Sequence, residues 1–332
     1  MLKFGLETEC CHLSFQNKRM DIFQFIDFAA DTGFDGVVIN VIEKRNLQEG
    51  LGALGKDDPE HIKKVAQKIK ERGLYVSVDT RGTSFEHLSH ILDVADMLGA
   101  DLLRTFVMVG NSFSHTNLVG EFSQEGMDQA YEDLKKIVPL CEKKRIKLAI
   151  ENHCAETMTE VMDLVNRVDS RWVGVLFDYG NAIPVYEDPM HALQLCTDKL
   201  FGVHLKDQVI CKTGEENELE YCMSETGVGE GACDVIGLSK YIMEHTTLDR
   251  LNVETSFPYA GRFTRPVGTG GVTKLGEGAF SFAEPPMPME KVKPLHYYSY
   301  GGEYLDEMIE MQMSSLRRGL AYLHRMRDEF EK

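Results

Sequence analysis

Residues 147–178 read KLAIENHCAETMTEVMDLVNRVDSRWVGVLFD. A short apolar run, Lys147–Glu151, gives way to an amphipathic stretch, Met158–Val168, and then to a second apolar run, Trp172–Asp178. Brief runs rich in Val, Ile, Leu and Phe suit parallel strands covered on their outer face, and the stretch between them suits a crossover helix.

The same unit recurs in both directions along the chain. Further strand-like runs are Lys3–Thr8, Gly36–Asn40, Leu74–Asp79, Leu102–Val107, Phe201–Lys206 and Arg250–Glu254. Further helical segments are Met20–Thr32, Pro59–Arg72, Phe85–Leu98, Gln124–Lys144, Met190–Lys199, Asp234–His245 and Gly302–Glu331. Asp58 before Pro59 reads as a helix start, and Gly73 and Gly33 read as stops. Eight β-then-α units in order predict a closed parallel (β/α)8 barrel of the TIM type, an α/β fold, with residues 1–332 as a single domain. The rival, a doubly wound open sheet, lacks its GxGxxG turn: the first strand runs into Glu7-Thr8-Glu9-Cys10-Cys11 instead.

Three connections are longer than a barrel needs: Met108–Ser123, Asp207–Cys233 and Thr255–Gly301. All follow strands, which puts them on the C-terminal face, where barrel enzymes build their sites. The last, residues 255–301, is rich in proline and ends His296-Tyr297-Tyr298-Ser299-Tyr300, which suits a lid or a partner-facing surface.

The formal net charge of -17, from 53 acidic and 36 basic residues, repels phosphate backbones and speaks against nucleic-acid binding. Eight cysteines without a CxxC pair read as reduced, mostly buried thiols. No apolar signal core opens the sequence, and no stretch approaches the ~20 apolar residues of a membrane span. A cytoplasmic location without membrane contact is the expectation.

The chemistry sits where the later strands end. Glu151, Asp178, His204 and Glu254 close four consecutive strands, and side-chain alternation turns all four toward the barrel axis at one height. A lone acid in such a place is more often a helix cap, and a lone His more often a satisfied polar group. The set of four points instead to one divalent ion, Mn²⁺ first, with Mg²⁺, Co²⁺ or Zn²⁺ also suited to three carboxylates and an imidazole. Two further octahedral positions would serve a sugar carbonyl and its neighbouring hydroxyl, acidifying the adjacent C–H. His153, on the face of Glu151, is the candidate base; in an epimerase Glu151 and Glu254 would carry the protons. Arg81, Arg104 and Lys206 are candidates to hold substrate oxygens, with Asn40 and His296 as further pocket residues.

The strand ends Ile150-Glu151-Asn152, Phe177-Asp178, His204-Leu205-Lys206-Asp207 and Val253-Glu254, with Gly227-Val228-Gly229-Glu230-Gly231, make the chain resemble the xylose-isomerase-like barrel superfamily. The resemblance implies one metal, usually Mn²⁺, on Glu151, Asp178, His204 and Glu254. Ketose 3-epimerases of that superfamily carry a His where Asn181 stands here, and an Arg after the strand-seven His where this chain has Lys206 and Asp207. Endonuclease IV shares the barrel but needs a larger His and acid cluster. Within the superfamily, the segments Glu7–His12 and Asp79–Gly82, Glu151 with His153, and the aromatic connection look similar to the catalytic α subunit of C-glycoside deglycosidases. That likeness implies cleavage of the carbon–carbon bond of a 3-oxo-C-glycoside, together with a small β subunit in a hetero-oligomer. A sugar-phosphate isomerase would need the glycines of 227–231 as a phosphate cradle, which Glu230 disfavours. A non-catalytic sugar-binding barrel is the alternative of another class.

Overall fold

The structure is a computed structural model that describes residues 1–42, 52–107, 122–212, 221–257, 259–288, 291, 293–294 and 301–332. Most of Met108–Ser123, and with it His296 and the tyrosines beside it, lie outside the described residues.

Eight parallel strands close into a barrel: β1 (Lys3–Glu7), β2 (Gly36–Asn40), β3 (Tyr75–Asp79), β4 (Leu102–Thr105), β5 (Lys147–Glu151), β6 (Val173–Asp178), β7 (Leu200–Leu205) and β10 (Arg250–Val253). β10 closes the ring between β7 and β1. The connection Asp207–Cys233, expected to be open, contains a hairpin of β8 (Gln208–Lys212) and β9 (Tyr221–Glu225). With β11 (Tyr259–Gly261) and β12 (Lys293–Pro294) the hairpin forms a small second sheet.

A short helix, α1 (His12–Gln16), interrupts the first connection. The outer helices are α2 (Ile22–Thr32), α3 (Pro59–Glu71), α4 (Phe85–Leu98), α5 (Gln124–Lys144), α6 (Met158–Val168), α7 (Pro189–Cys196), α8 (Val235–His245) and α9 (Leu305–Phe330). The starts differ from the periodic reading where a cap decides. Asp21 accepts from the Gln24 amide while Gln24 reaches back, so α2 begins at Ile22 rather than Met20. Thr157 and Glu160 form the same reciprocal box before α6. The strand Leu102–Val107 stops at Thr105, and α7 stops at Cys196 and passes into a tighter 3₁₀ turn. All eight cysteines are free thiols, seven of them buried. No helix among the described residues is long and apolar enough to cross a membrane.

Inside the barrel the side chains fall into layers, because alternate residues of every strand point inward. At the floor Tyr75 donates its hydroxyl to Asn252 Oδ1 at 2.7 Å. A Cβ on Gly36 would lie 2.4 Å from the Tyr75 ring, so only glycine lets that ring fill the floor. Above it Leu102, Ala149 and Leu176 pack with Phe201 as an apolar layer. The next inward residues are the polar strand ends. Register brings several of them side by side: Asn40 pairs Asp79, Asp79 pairs Arg104, and Asp178 pairs His204.

Part of the long connection after β10 straps the mouth. Thr264 N donates to Pro184 O at 3.0 Å, and Gly270 N and Val272 N donate to Val185 O and Tyr186 O, each at 2.9 Å. Phe263 stacks on Tyr186 with centroids 4.3 Å apart, and Arg265 donates to Ala155 O at 2.8 Å and pairs with Glu160. Residues 262–272 are therefore fixed to the turns that follow β5 and β6.

Candidate metal centre

Glu151, Asp178 and His204, all buried, offer donor atoms that lie within 4.8 Å of one another. His204 Nδ1 is 2.8 Å from Glu151 Oε1 and 4.0 Å from Asp178 Oδ2. Its other nitrogen, Nε2, lies 3.1 Å from Asp79 Oδ2, the arrangement in which an outer carboxylate fixes the ring of a metal-ligating histidine. Asp178 Oδ1 accepts from the amides of Gly180 at 2.8 Å and Asn181 at 2.9 Å. Its Oδ2 makes no directed hydrogen bond although it is buried. Two carboxylates and an imidazole with an oxygen left undirected fit a divalent cation.

Glu254, the expected fourth donor, shares a cation of the chain with Asp178. Its Oε2 is 2.7 Å from the Lys206 ammonium, which also lies 3.2 Å from Asp178 Oδ2. Arg104, expected to hold substrate, instead pairs with Glu151 through Nη2 and approaches Asp79 at 3.9 Å. Both cations are committed to carboxylates of the centre.

Burial and charge oppose each other here. Burial works against charge on Glu151, but Arg104 and the His204 contact hold its carboxyl well below the usual range. Burial would strip the His204 proton, and the charges of Asp79 and Glu151 hold it well above the ordinary imidazole value. Burial pushes Asp178 up to about 7 against the pull of Lys206. Glu254 falls to about 2, because Lys206 and His204 outweigh its burial.

His153 lies beside the triad, with Nε2 3.9 Å from Glu151 Oε2. Its ring stacks on Phe106 at 3.7 Å and 4°, and its Nδ1 is buried without a hydrogen-bond partner. Burial lowers it to about 3, so the ring is neutral. Arg81 follows β3 on the same rim; burial pulls its guanidinium below the usual range, and the nearby Glu9 opposes that. Asn40 is buried with its Oδ1 unpartnered. Asn181 accepts from Lys206 at 3.2 Å and from the Cys154 thiol at 2.9 Å.

Sequence reasoning passed over Asp79, Glu7 and Glu225 as site groups. Asp79 ends β3 just as Asp178 ends β6, so its position was the available signal. Glu7 ends β1 and is buried, and burial followed by the charge of Asp79 pushes its carboxyl well up. Glu225 comes from the hairpin, accepting from Thr255 Oγ1 at 2.8 Å, and no barrel periodicity announces it. The glycines of 227–231 are already occupied. Asp207 accepts from the amides of Gly229, Gly231, Cys233 and Gln208 at 2.8–3.1 Å. A Cβ on Gly231 would lie 2.1 Å from Asp207 Oδ1. The anion cradle holds the protein's own carboxylate.

Comparison with known proteins agrees with this architecture. 3-Oxo-isoapionate decarboxylase from Pectobacterium atrosepticum is 25% identical over 184 residues, 55% of this chain and 62% of that protein. Inosose dehydratase from Bacillus cereus is 28% identical over 121 residues, 35% of this chain and 40% of its own length. The chain thus spans less than two thirds of these curated relatives. Among solved structures, D-psicose 3-epimerase with D-tagatose from Clostridium cellulolyticum H10 superposes with a TM-score of 0.60 at 14% identity, covering 98% of this chain and 99% of that one. The IolI protein with a bound zinc atom gives a TM-score of 0.58 at 14% identity, covering 95% and 96%. These distant relatives are sugar-modifying enzymes by name, and the solved structures share the barrel. Residues 26–244 match the family described as xylose isomerase-like TIM barrel, and the chain belongs to that family.

Proposed function

We propose that this chain is a divalent-metal-dependent enzyme, with Mn²⁺ as the preferred ion, that enolises a neutral oxo-sugar and breaks the adjacent bond. In its most specific form it is the catalytic subunit that cleaves the carbon–carbon bond of a 3-oxo-C-glycoside. The observation that carries the reading is the buried triad Glu151, Asp178 and His204 with a neutral imidazole, His153, beside it.

When bound, the ion supplies Lewis acidity to a carbonyl and its neighbouring hydroxyl. His153 takes the proton from the carbon next to the carbonyl, and Glu151, 3.9 Å away, offsets the charge the ring gains. The carbonyl then re-forms, a double bond forms between the first and second sugar carbons, and the bond to the aglycone breaks. The leaving carbon takes up the proton, so neither water nor an oxidant is consumed. Phe106 keeps the imidazole plane fixed through its stacking. The strap of residues 262–272 limits water at the mouth. Connection 255–301 supplies the surface for a small second subunit.

Charge supports a neutral substrate. Two cations buried at the strand ends face carboxylates: Arg104 faces Glu151 and Asp79, and Lys206 faces Asp178 and Glu254; Arg81 lies in the field of Glu9. A phosphate or carboxylate on the sugar would have to compete with those carboxylates for Arg104 and Lys206, and Asp207 fills the glycine cradle a phosphate would need. Epimerisation of a free ketose is the second reading, on the strength of carboxylates Glu151 and Glu254 at one mouth. Their ion pairs with Arg104 and Lys206 weigh against a two-carboxylate proton shuttle.

The test is to incubate the Mn²⁺-loaded protein with 3-oxo-C-glycosides, free ketoses and ketose phosphates, and to follow the products. Release of aglycone that stops with chelator, and that His153→Gln abolishes while bound metal stays, is the expected result. Conversion of ketoses alone would replace the reading with epimerisation, and ligand binding without any conversion would remove the enzyme.

A further inference from the structure

The turn that carries His153 is held from two sides. On the barrel side, Asn152 accepts from Asp178 N at 2.9 Å and donates to Asp178 O at 3.3 Å, while the Cys154 thiol donates to Asn181 Oδ1 at 2.9 Å. On the outer side the strap takes the next two carbonyls. The Thr264 hydroxyl donates to Cys154 O, and Arg265 Nη1 donates to Ala155 O at 2.8 Å. The same hydroxyl is 3.3 Å from Pro184 O, which the Thr264 amide already serves at 3.0 Å.

Cys154 needs such a hold. Its φ is 61°, in the left-handed region that L side chains rarely adopt. A residue in that conformation persists where its surroundings fix it. The strap is well placed to do so. A Cβ on Gly270 would lie 2.4 Å from Glu187 Cβ, so the strap rests directly on the turn after β6. Arg265 also pairs with Glu160, the residue that closes the α6 capping box, and its guanidinium stands 4.3 Å from the centre of the Phe122 ring.

His153 precedes Cys154, and its Nδ1 has no hydrogen-bond partner among the described residues. The ring is oriented by its stack on Phe106 and by the backbone that bears it. A shift of the Cys154 peptide therefore moves the imidazole, and with it the 3.9 Å separation of Nε2 from Glu151 Oε2. Misplacing a reacting group by about 1 Å can cost about 100-fold in rate.

We propose that Thr264 and Arg265 are positioning residues for His153: by holding the carbonyls of Cys154 and Ala155, they keep the imidazole stacked on Phe106 and beside Glu151. The strap thereby ties cover of the mouth to placement of the base, through groups 110 residues apart in the chain. The inference rests on the reading of His153 as the base.

The experiment is nuclear magnetic resonance of the full-length chain, isotope-labelled in its histidine rings, with Mg²⁺ as a diamagnetic ion. A ring stacked at 3.7 Å carries the ring-current shift of Phe106. His153→Gln identifies its signal, and Phe106→Leu gives the position without the stack. Thr264→Val and Arg265→Met should each move the His153 signal toward that position, the double variant furthest, while the His204 signal stays. Arg265→Lys, which keeps a donor, should move it less. Phe263→Leu, which loosens the strap at Tyr186 instead, should leave it in place. With a 3-oxo-C-glycoside, Arg265→Met should lose at least about tenfold in kcat, with KM and bound Mn²⁺ little changed. A His153 signal that the double variant leaves unmoved overturns the inference, as does one that moves with every other histidine or equally in Phe263→Leu. If the natural chain releases aglycone and the double variant does so at the same rate, the positioning role falls and the enzyme reading stands. If the signal moves as expected while no form of the chain converts any substrate, the hold on the ring stands and the reading of His153 as the base falls.

Discussion

Asp178 ends β6 and Asp207 follows β7, and both carboxylates are wholly buried. Asp207 is enclosed by the amides of Gln208, Gly229, Gly231 and Cys233, so each oxygen has directed donors. Asp178 is satisfied on one side only: Oδ1 has two amides, while Oδ2 has no directed donor and faces an ammonium. Burial pushes both groups up, Asp207 to about 6 and Asp178 to about 7. The difference lies in what completes each one. A carboxylate completed by backbone holds a loop, and one left incomplete in a polar ring is poised for a ligand.

The sharpest way to break this contrast is to neutralise the two positions and compare what is lost. Asp178→Asn should abolish Mn²⁺ binding, beyond the about 100-fold that loss of an outer partner brings, and leave the melting temperature nearly unchanged. Equilibrium dialysis with manganese and a thermal melt read both effects. Asp207→Ala should do the reverse. Stranding buried amides should cost at least about 3 kcal/mol in denaturant unfolding, with Mn²⁺ affinity little altered in the folded fraction. If Asp207→Ala abolished metal binding in a chain of normal stability, the division of labour would be wrong.

Asp79 tests a smaller effect. Because it lies against His204 Nε2 rather than among the triad, Asp79→Asn should weaken Mn²⁺ binding by about 10- to 100-fold without abolishing it. Complete loss would make Asp79 a ligand.

These distinctions mark where the sequence stops being legible. The barrel follows from periodicity, because each strand and helix must bury one face and the order of units leaves few ways to do so. Glu151, Asp178 and His204 could be found from strand ends and alternation, which need only local chain geometry. The pairing of Glu254 with Lys206 could not, since it depends on a side chain reaching over from the end of β7. Nor could the content of the 227–231 loop: five residues with three glycines look the same whether they hold a phosphate or Asp207. The hairpin of β8 and β9 was hidden in a stretch whose alternation is short and interrupted.

Glu156 is the mildest probe, a buried carboxylate on which the charge of Arg265 is outweighed by burial. Its Oε2 is buried without a partner, and burial pushes the group up to about 8. The folded chain therefore holds this proton more tightly than the unfolded chain does. That contribution to stability is full below the ordinary carboxyl value of 4.5 and is lost as pH rises to about 8. Glu156→Gln removes the titration, so its melting temperature should gain on the natural chain by a growing margin from pH 5 to 8 and by no more above that. A constant margin across that window would show Glu156 ionised in the fold.

The most direct test of the central claim is anomalous diffraction from crystals soaked in Mn²⁺. A single strong peak within bonding distance of Glu151, Asp178 and His204 is the predicted result. Density that leaves those three side chains without an ion, at a manganese concentration that saturates sites elsewhere, would contradict it.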